Sequence, residues 1–107
     1  MVCPTMSMKE LEMWIQAGRP MVLVDLRSRQ EYEAGHLQGA VNIPYEELET
    51  RLEEIPRQLP CVLYCSRGSQ SLLACSRLNR LGRNAVNVYG GLAAYRGTHL
   101  LGGRGEF

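Results

Sequence analysis

Four short apolar runs constrain this chain more than any other feature: Met21-Val22-Leu23-Val24, Ala40-Val41-Asn42-Ile43, Cys61-Val62-Leu63-Tyr64 and Ala85-Val86-Asn87-Val88. They read as strands, and the first and third, apolar at nearly every position, as strands buried on both faces. Segments of helical character lie between them. Ser7-x-x-Glu10 is a capping-box pattern, followed by Leu11, Trp14 and Ile15 at helical spacing and closed by Gly18 and Pro20. Ser28 to Ala34 predicts a short polar helix stopped by Gly35, and Tyr45 to about Glu54 a helix with Leu48, Leu52 and Ile55 as its apolar stripe. Ser71 to Leu81 predicts a helix with Ala74, Cys75, Leu78 and Leu81 on one face, and Leu92 to Arg96 a short last helix. Strands alternating with helices imply an α/β domain with a mainly parallel sheet. In such sheets the working site lies beyond the carboxyl ends of the strands.

The 107 residues fit one domain, 1–107, with a core over about 5–97 and a Gly-rich tail at 98–107 that is expected to fray. No apolar run approaches the roughly 18–20 residues of a membrane span. The start has no charged segment leading into an apolar one, so no secretory signal is expected and the cytoplasm is the expected location. Net charge is +1, which argues against nucleic-acid binding, but it is unevenly spread. Residues 1–54 carry ten acids and five bases; residues 55–107 carry one acid and seven arginines. Such a basic half suits an anionic substrate or an acidic protein partner.

The cysteines are Cys3, Cys61, Cys65 and Cys75, with no CxxC pair, and His36 and His99 lie far apart in sequence. No zinc site or disulfide framework is expected from this pattern, and free thiols are. Cys61 and Cys75 read as core residues. Cys65 is different, because it follows the third strand and precedes the polar loop Ser66-Arg67-Gly68-Ser69-Gln70 and the helix from Ser71. Backbone N–H groups of such a loop can turn inward as an anion nest, and the helix N-terminus adds about half a positive charge there. Both favour a thiolate nucleophile at Cys65, with Gly68 permitting a positive φ and Ser66, Arg67, Ser69 and Ser71 supplying donors.

With these segments in view, the sequence resembles the rhodanese-like family. Val24-Asp25-Leu26-Arg27, then Glu31-Tyr32, then Gly35-His36-Leu37-Gln38-Gly39-Ala40-Val41-Asn42-Ile43-Pro44 is similar to its first motif. Cys65 to Gln70 before Ser71 resembles its six-residue active-site loop. Val88-Tyr89-Gly90-Gly91-Leu92-Ala93-Ala94-Tyr95 is similar to its third motif, with Tyr95 where Trp is usual.

The resemblance implies a five-stranded, mainly parallel sheet with helices on both faces, and a sulfurtransferase of thiosulfate type. Cys65 would take sulfane sulfur from a small anionic donor as a persulfide and pass it to cyanide or a thiol, with no metal or organic cofactor. Ser66, Arg67, Gly68, Ser69, Gln70 and Ser71 would form the substrate loop. Asp25 and Arg27 would serve the fold near its rim as an ion pair, and His36 would fix a loop. Gln70 is neutral where many active members carry a base, which leaves Arg67 as the loop's cation. A sulfur-carrier or regulatory module acting with a protein partner is the alternative. A related-fold phosphatase or arsenate reductase would need Arg six positions after the cysteine, where Ser71 stands.

Overall fold

A computed structural model of the chain describes residues 3–95 and 100–101. Ser7 caps the first helix, α1 (Met8–Gln16): its hydroxyl accepts from Glu10 N–H while the Glu10 carboxylate accepts from Ser7 N–H, each at 3.0 Å. Ser28 and Glu31 repeat this reciprocal cap at α2 (Arg29–Ala34). The strands are β1 (Thr5–Met6), β2 (Val22–Asp25), β3 (His36–Leu37), β4 (Val41–Asn42), β5 (Cys61–Tyr64), β6 (Ala85–Val88) and β7 (Leu100–Leu101), and a third α-helix, α3, runs over Ser69–Arg80.

Five strands form one parallel sheet in the order β1-β6-β5-β2-β4. Alternation along the strands sends side chains to two cores. Val24, Cys61, Leu63 and Ala85 pack with Ala74, Cys75 and Leu78 of α3 and with Leu48 and Ile55, whereas Leu23, Val62, Tyr64 and Val88 pack with Leu11 of α1, Leu37 and Ala40. The fold is therefore an α/β domain with a five-stranded parallel sheet and helices on both faces, as the family resemblance implies.

The structure corrects several local expectations. Tyr45 to Glu54 is not an α-helix but two 3₁₀ segments, Tyr45–Glu47 and Glu49–Glu54, with non-helical backbone at Arg51. Docking decides this: Leu48 and Ile55 both reach the core, and Arg51 bonds to Glu47 and Glu54. The last helix shortens to a 3₁₀ turn, Leu92–Ala94. Leu100–Leu101 pairs antiparallel with His36–Leu37, so this part of the expected tail is a strand; residues 98–99 and 102–107 lie outside the described residues.

The expectation of no disulfide also fails. Cys3 and Cys75 are bonded across 72 residues, with Cα atoms 5.9 Å apart. The reason is topological: β1 joins the sheet beside β6, and this brings the segment before it against α3. Among the described residues no helix is long and apolar enough to cross a membrane.

Candidate functional site: the Cys65 loop

Cys65 is the first residue after β5, at the carboxyl end of a central strand, and is only 2% exposed. Its sulfur accepts hydrogen bonds from Gly68 N–H at 3.1 Å and Ser71 N–H at 3.3 Å, and the Ser71 hydroxyl oxygen lies 3.5 Å away. The helix begins two residues earlier than expected, at Ser69, so Ser69 and Gln70 form its first turn rather than loop. The N-cap residue, Gly68, has φ +104° and no capping side chain. The sulfur of Cys65 takes that place, receiving a first-turn N–H that would otherwise have no partner.

The loop's carbonyls are tied back on its other side. Leu92 N–H donates to Cys65 O at 2.8 Å and Ala93 N–H to Ser66 O at 3.0 Å. Gly91, at φ +60°, makes this approach possible: a β-carbon there would lie 2.5 Å from Cys65 O and from the Ser66 carbonyl group. With carbonyls anchored outward, amides are left facing the sulfur. Burial raises the Cys65 thiol pKa, but the Ser71 hydroxyl and the N–H groups of Ser71, Gly68 and Gln70 outweigh it, and the net shift is downward. These leading donors are all neutral; the anion is favoured by dipoles rather than by a neighbouring cation. Cys61 is the contrast, because burial pushes its thiol up to about 12 despite the nearby Arg83.

The structure thus gathers Gly68, Gln70 and Ser71 onto the sulfur, largely through backbone. Ser66, Arg67, Ser69 and Gln70 are exposed around it. Arg67 and Ser66 line a shallow depression of about 250 Å³ with Arg27, Leu92 and Ala93. Arg27 is held there by the fully buried Asp25, to which it donates from Nε and Nη2, the latter at 2.7 Å; Nη2 also donates to Gly35 O. Tyr64 completes that network: its hydroxyl donates to Asp25 Oδ2 at 2.7 Å and accepts from Leu37 N–H at 3.0 Å. His36 is not among the described groups that bond to the sulfur. It donates from Nδ1 to Tyr32 O at 2.8 Å and stacks on the Tyr32 ring. Among the described residues no group of three or more His, Cys, Asp or Glu side chains is placed to hold a metal ion.

Sequence reasoning missed three contributors. Gly91 reads only as a turn glycine. Tyr64 reads as an apolar strand residue. Asn87 is buried in β6, and its Oδ1 meets the Ser71 hydroxyl. A polar residue inside an otherwise apolar parallel strand was the available signal.

Known proteins match this architecture. The thiosulfate:glutathione sulfurtransferase of Homo sapiens is 35% identical over 107 aligned residues, covering 87% of this chain and 90% of that protein. A probable adenylyltransferase/sulfurtransferase MoeZ of Mycobacterium tuberculosis is 32% identical over 85% of this chain, but the match spans only 24% of that protein. This chain thus corresponds to about a quarter of that larger relative. The crystal structure of a rhodanese-like domain protein from Staphylococcus aureus superposes with TM-score 0.85 at 25% identity, covering 92% of this chain and 97% of that one. Residues 7–98 match the description of the rhodanese-like domain, and the chain belongs to that family.

Proposed function

We propose that the protein is a sulfurtransferase that carries sulfane sulfur on Cys65. The observation that carries this reading is the sulfur of Cys65 held by Gly68 N–H and Ser71 N–H at the N-terminus of α3. The Cys65 thiolate attacks the outer sulfur of thiosulfate, the S–S bond breaks, and sulfite leaves with the bonding pair. The product is a Cys65 persulfide anion, which the same N–H groups stabilise. Cyanide or a thiolate acceptor then takes the outer sulfur, and the Cys65 thiolate returns as the leaving group. The human relative, a thiosulfate:glutathione sulfurtransferase, supports thiosulfate as donor and a thiol as acceptor. No cofactor enters this scheme, and Cys65 leaves each turnover as the thiolate.

Intact mass after thiosulfate treatment tests the reading. The wild type should gain one sulfur, removable by cyanide or dithiothreitol, and Cys65→Ala should gain none. An adduct that persists in Cys65→Ala would falsify the assignment.

One observation favours a protein as the acceptor or donor. Leu72 and Leu73 in the first turns of α3, and Tyr89 beside the Gly90-Gly91 turn, are exposed apolar residues near the Cys65 loop. With the basic second half of the chain they suit an acidic partner bearing a thiol. Tyr89→Ser should then slow transfer to a protein thiol while leaving transfer to cyanide unchanged.

A further inference from the structure

Ser71 has one hydroxyl proton and three acceptors around it: Asn87 Oδ1 at 2.5 Å, Gly68 O at 3.2 Å and Cys65 Sγ at 3.5 Å. Ser71 is fully buried and Asn87 is 2% exposed. Among the described residues, the hydrogen-bond partners of the Cys65, Ser71 and Asn87 side chains are neutral. Among the described residues Asn87 is bonded to Ser71 through Oδ1, and its amide nitrogen is not a fully buried group left without a partner. An amide rotated by half a turn presents nitrogen where oxygen was, at nearly the same shape.

We propose that Asn87 is a positioning residue for Cys65, the far end of a hydrogen-bond chain whose direction reverses with the charge on sulfur. With a neutral thiol, Cys65 S–H donates to Ser71 Oγ, and Ser71 O–H donates to Asn87 Oδ1. When the thiol has lost its proton, the Asn87 amide turns, Nδ2–H donates to Ser71 Oγ, and Ser71 O–H donates to the sulfur anion. No covalent bond changes within the chain; only hydrogen-bond direction does. Asparagine suits the position because it offers both a donor and an acceptor, and serine suits the middle because one hydroxyl gives and receives. A persulfide anion would draw the chain in the same direction as the thiolate. The inference rests on Cys65 being the reacting sulfur, but its test needs no sulfur transfer.

The test is the pH dependence of Cys65 alkylation, read at that residue by peptide mass, in the wild type, Asn87→Leu, Ser71→Ala and the double variant. Leucine keeps the branched shape without donor or acceptor. Asn87→Leu should move the midpoint up by about half to one pH unit. In the Ser71→Ala background the same change should have no further effect, because Asn87 reaches the sulfur only through Ser71. An unchanged midpoint in Asn87→Leu, or an equal shift with and without Ser71, overturns the proposal. Asn87→Asp is the reserve if leucine does not fold. Its carboxylate accepts but cannot donate, so it should raise the midpoint more with Ser71 present than absent, and equal shifts would mean charge repulsion alone. Sulfur loading by intact mass, run beside it, reports separately whether Cys65 carries sulfur.

Discussion

A β-carbon on Gly91 would lie 2.5 Å from the carbonyl oxygen of Cys65, well inside van der Waals contact, with the Ser66 carbonyl group equally close. The backbone at Gly91, with φ +60°, also disfavours any other residue. Gly91→Ala must therefore push back the loop that holds the sulfur, straining the Leu92-to-Cys65 and Ala93-to-Ser66 hydrogen bonds. The expected loss is about 1–3 kcal/mol of stability, together with a rise in the Cys65 alkylation midpoint as the amides lose their aim. Denaturant unfolding and alkylation measure the two effects. Wild-type values for both would show that the Gly91 contact is not what sets the loop.

The direction of the Cys65 shift fixes a pH profile. A lowered pKa means that the thiolate predominates at a pH where an ordinary cysteine is still a thiol. Persulfide formation should rise with pH through that lowered midpoint and then level off, whereas an unshifted thiol would keep gaining rate through about pH 8.5. Because the leading donors are neutral, the midpoint should hardly move between low and high salt. A midpoint at or above the ordinary value would mean that burial outweighs the donors.

The strands and the Cys65 loop were legible because each carries a local signature: short apolar runs for β2, β5 and β6, and a cysteine between strand and helix. Ser7 and Glu10 were legible for the same reason, since the cap closes within four residues. What escaped is non-local. Nothing near Cys3 points to Cys75, which meets it only because β1 joins the far edge of the sheet. Nothing in Tyr45–Glu54 marks the kink at Arg51, which depends on docking Leu48 and Ile55 together. The loop limits were misjudged because a thiol stands in for the usual capping oxygen, so the start of α3 lacked its familiar mark.

Tyr64 should be worth more than its ring. Its hydroxyl donates to the fully buried Asp25 and accepts from Leu37 N–H. Tyr64→Phe keeps the packing but leaves both partners short of one bond. The expected loss is about 1–3 kcal/mol, read as a lower denaturant midpoint with unchanged slope. Cys65 alkylation should stay near wild type, because Tyr64 is not among the donors to the sulfur. A variant as stable as wild type would mean that Arg27 alone satisfies Asp25.

The Cys3–Cys75 disulfide closes most of the chain into a loop, with a separation of 72 residues. Removing it by Cys3→Ser should lower stability by about 2–4 kcal/mol, through the freed unfolded chain. Wild type under reducing conditions should approach the same value. The Cys65 midpoint should not change, since neither bonded cysteine donates to that sulfur. Equal stability with and without the bond would show that β1 is held by its pairing with β6 alone.

Arg67 is the loop's cation, and its exposure sets how much it can contribute. Among the described residues it has no ion-pair partner, unlike Arg27, which is tied to Asp25. A sheltered guanidinium–sulfonate bond would be worth about 1.5–3 kcal/mol, tenfold or more in rate. An exposed pair is worth about 0.2–1 kcal/mol, because water and salt screen it. Arg67→Ala should therefore lower kcat/KM for thiosulfate by only about twofold to fivefold at low salt, and the difference should fade as salt rises. A sulfur donor with one negative charge should suffer less than the thiosulfate dianion. Arg67→Lys should restore most of the loss, since an exposed charge acts mainly by its sign rather than through the planar fork. The Cys65 midpoint should stay in place, because the leading donors to the sulfur do not include Arg67. Steady-state kinetics across a salt series decide the matter. A salt-independent loss beyond tenfold would mean that Arg67 closes onto the bound donor, sheltered from solvent, and that the loop rearranges when substrate arrives.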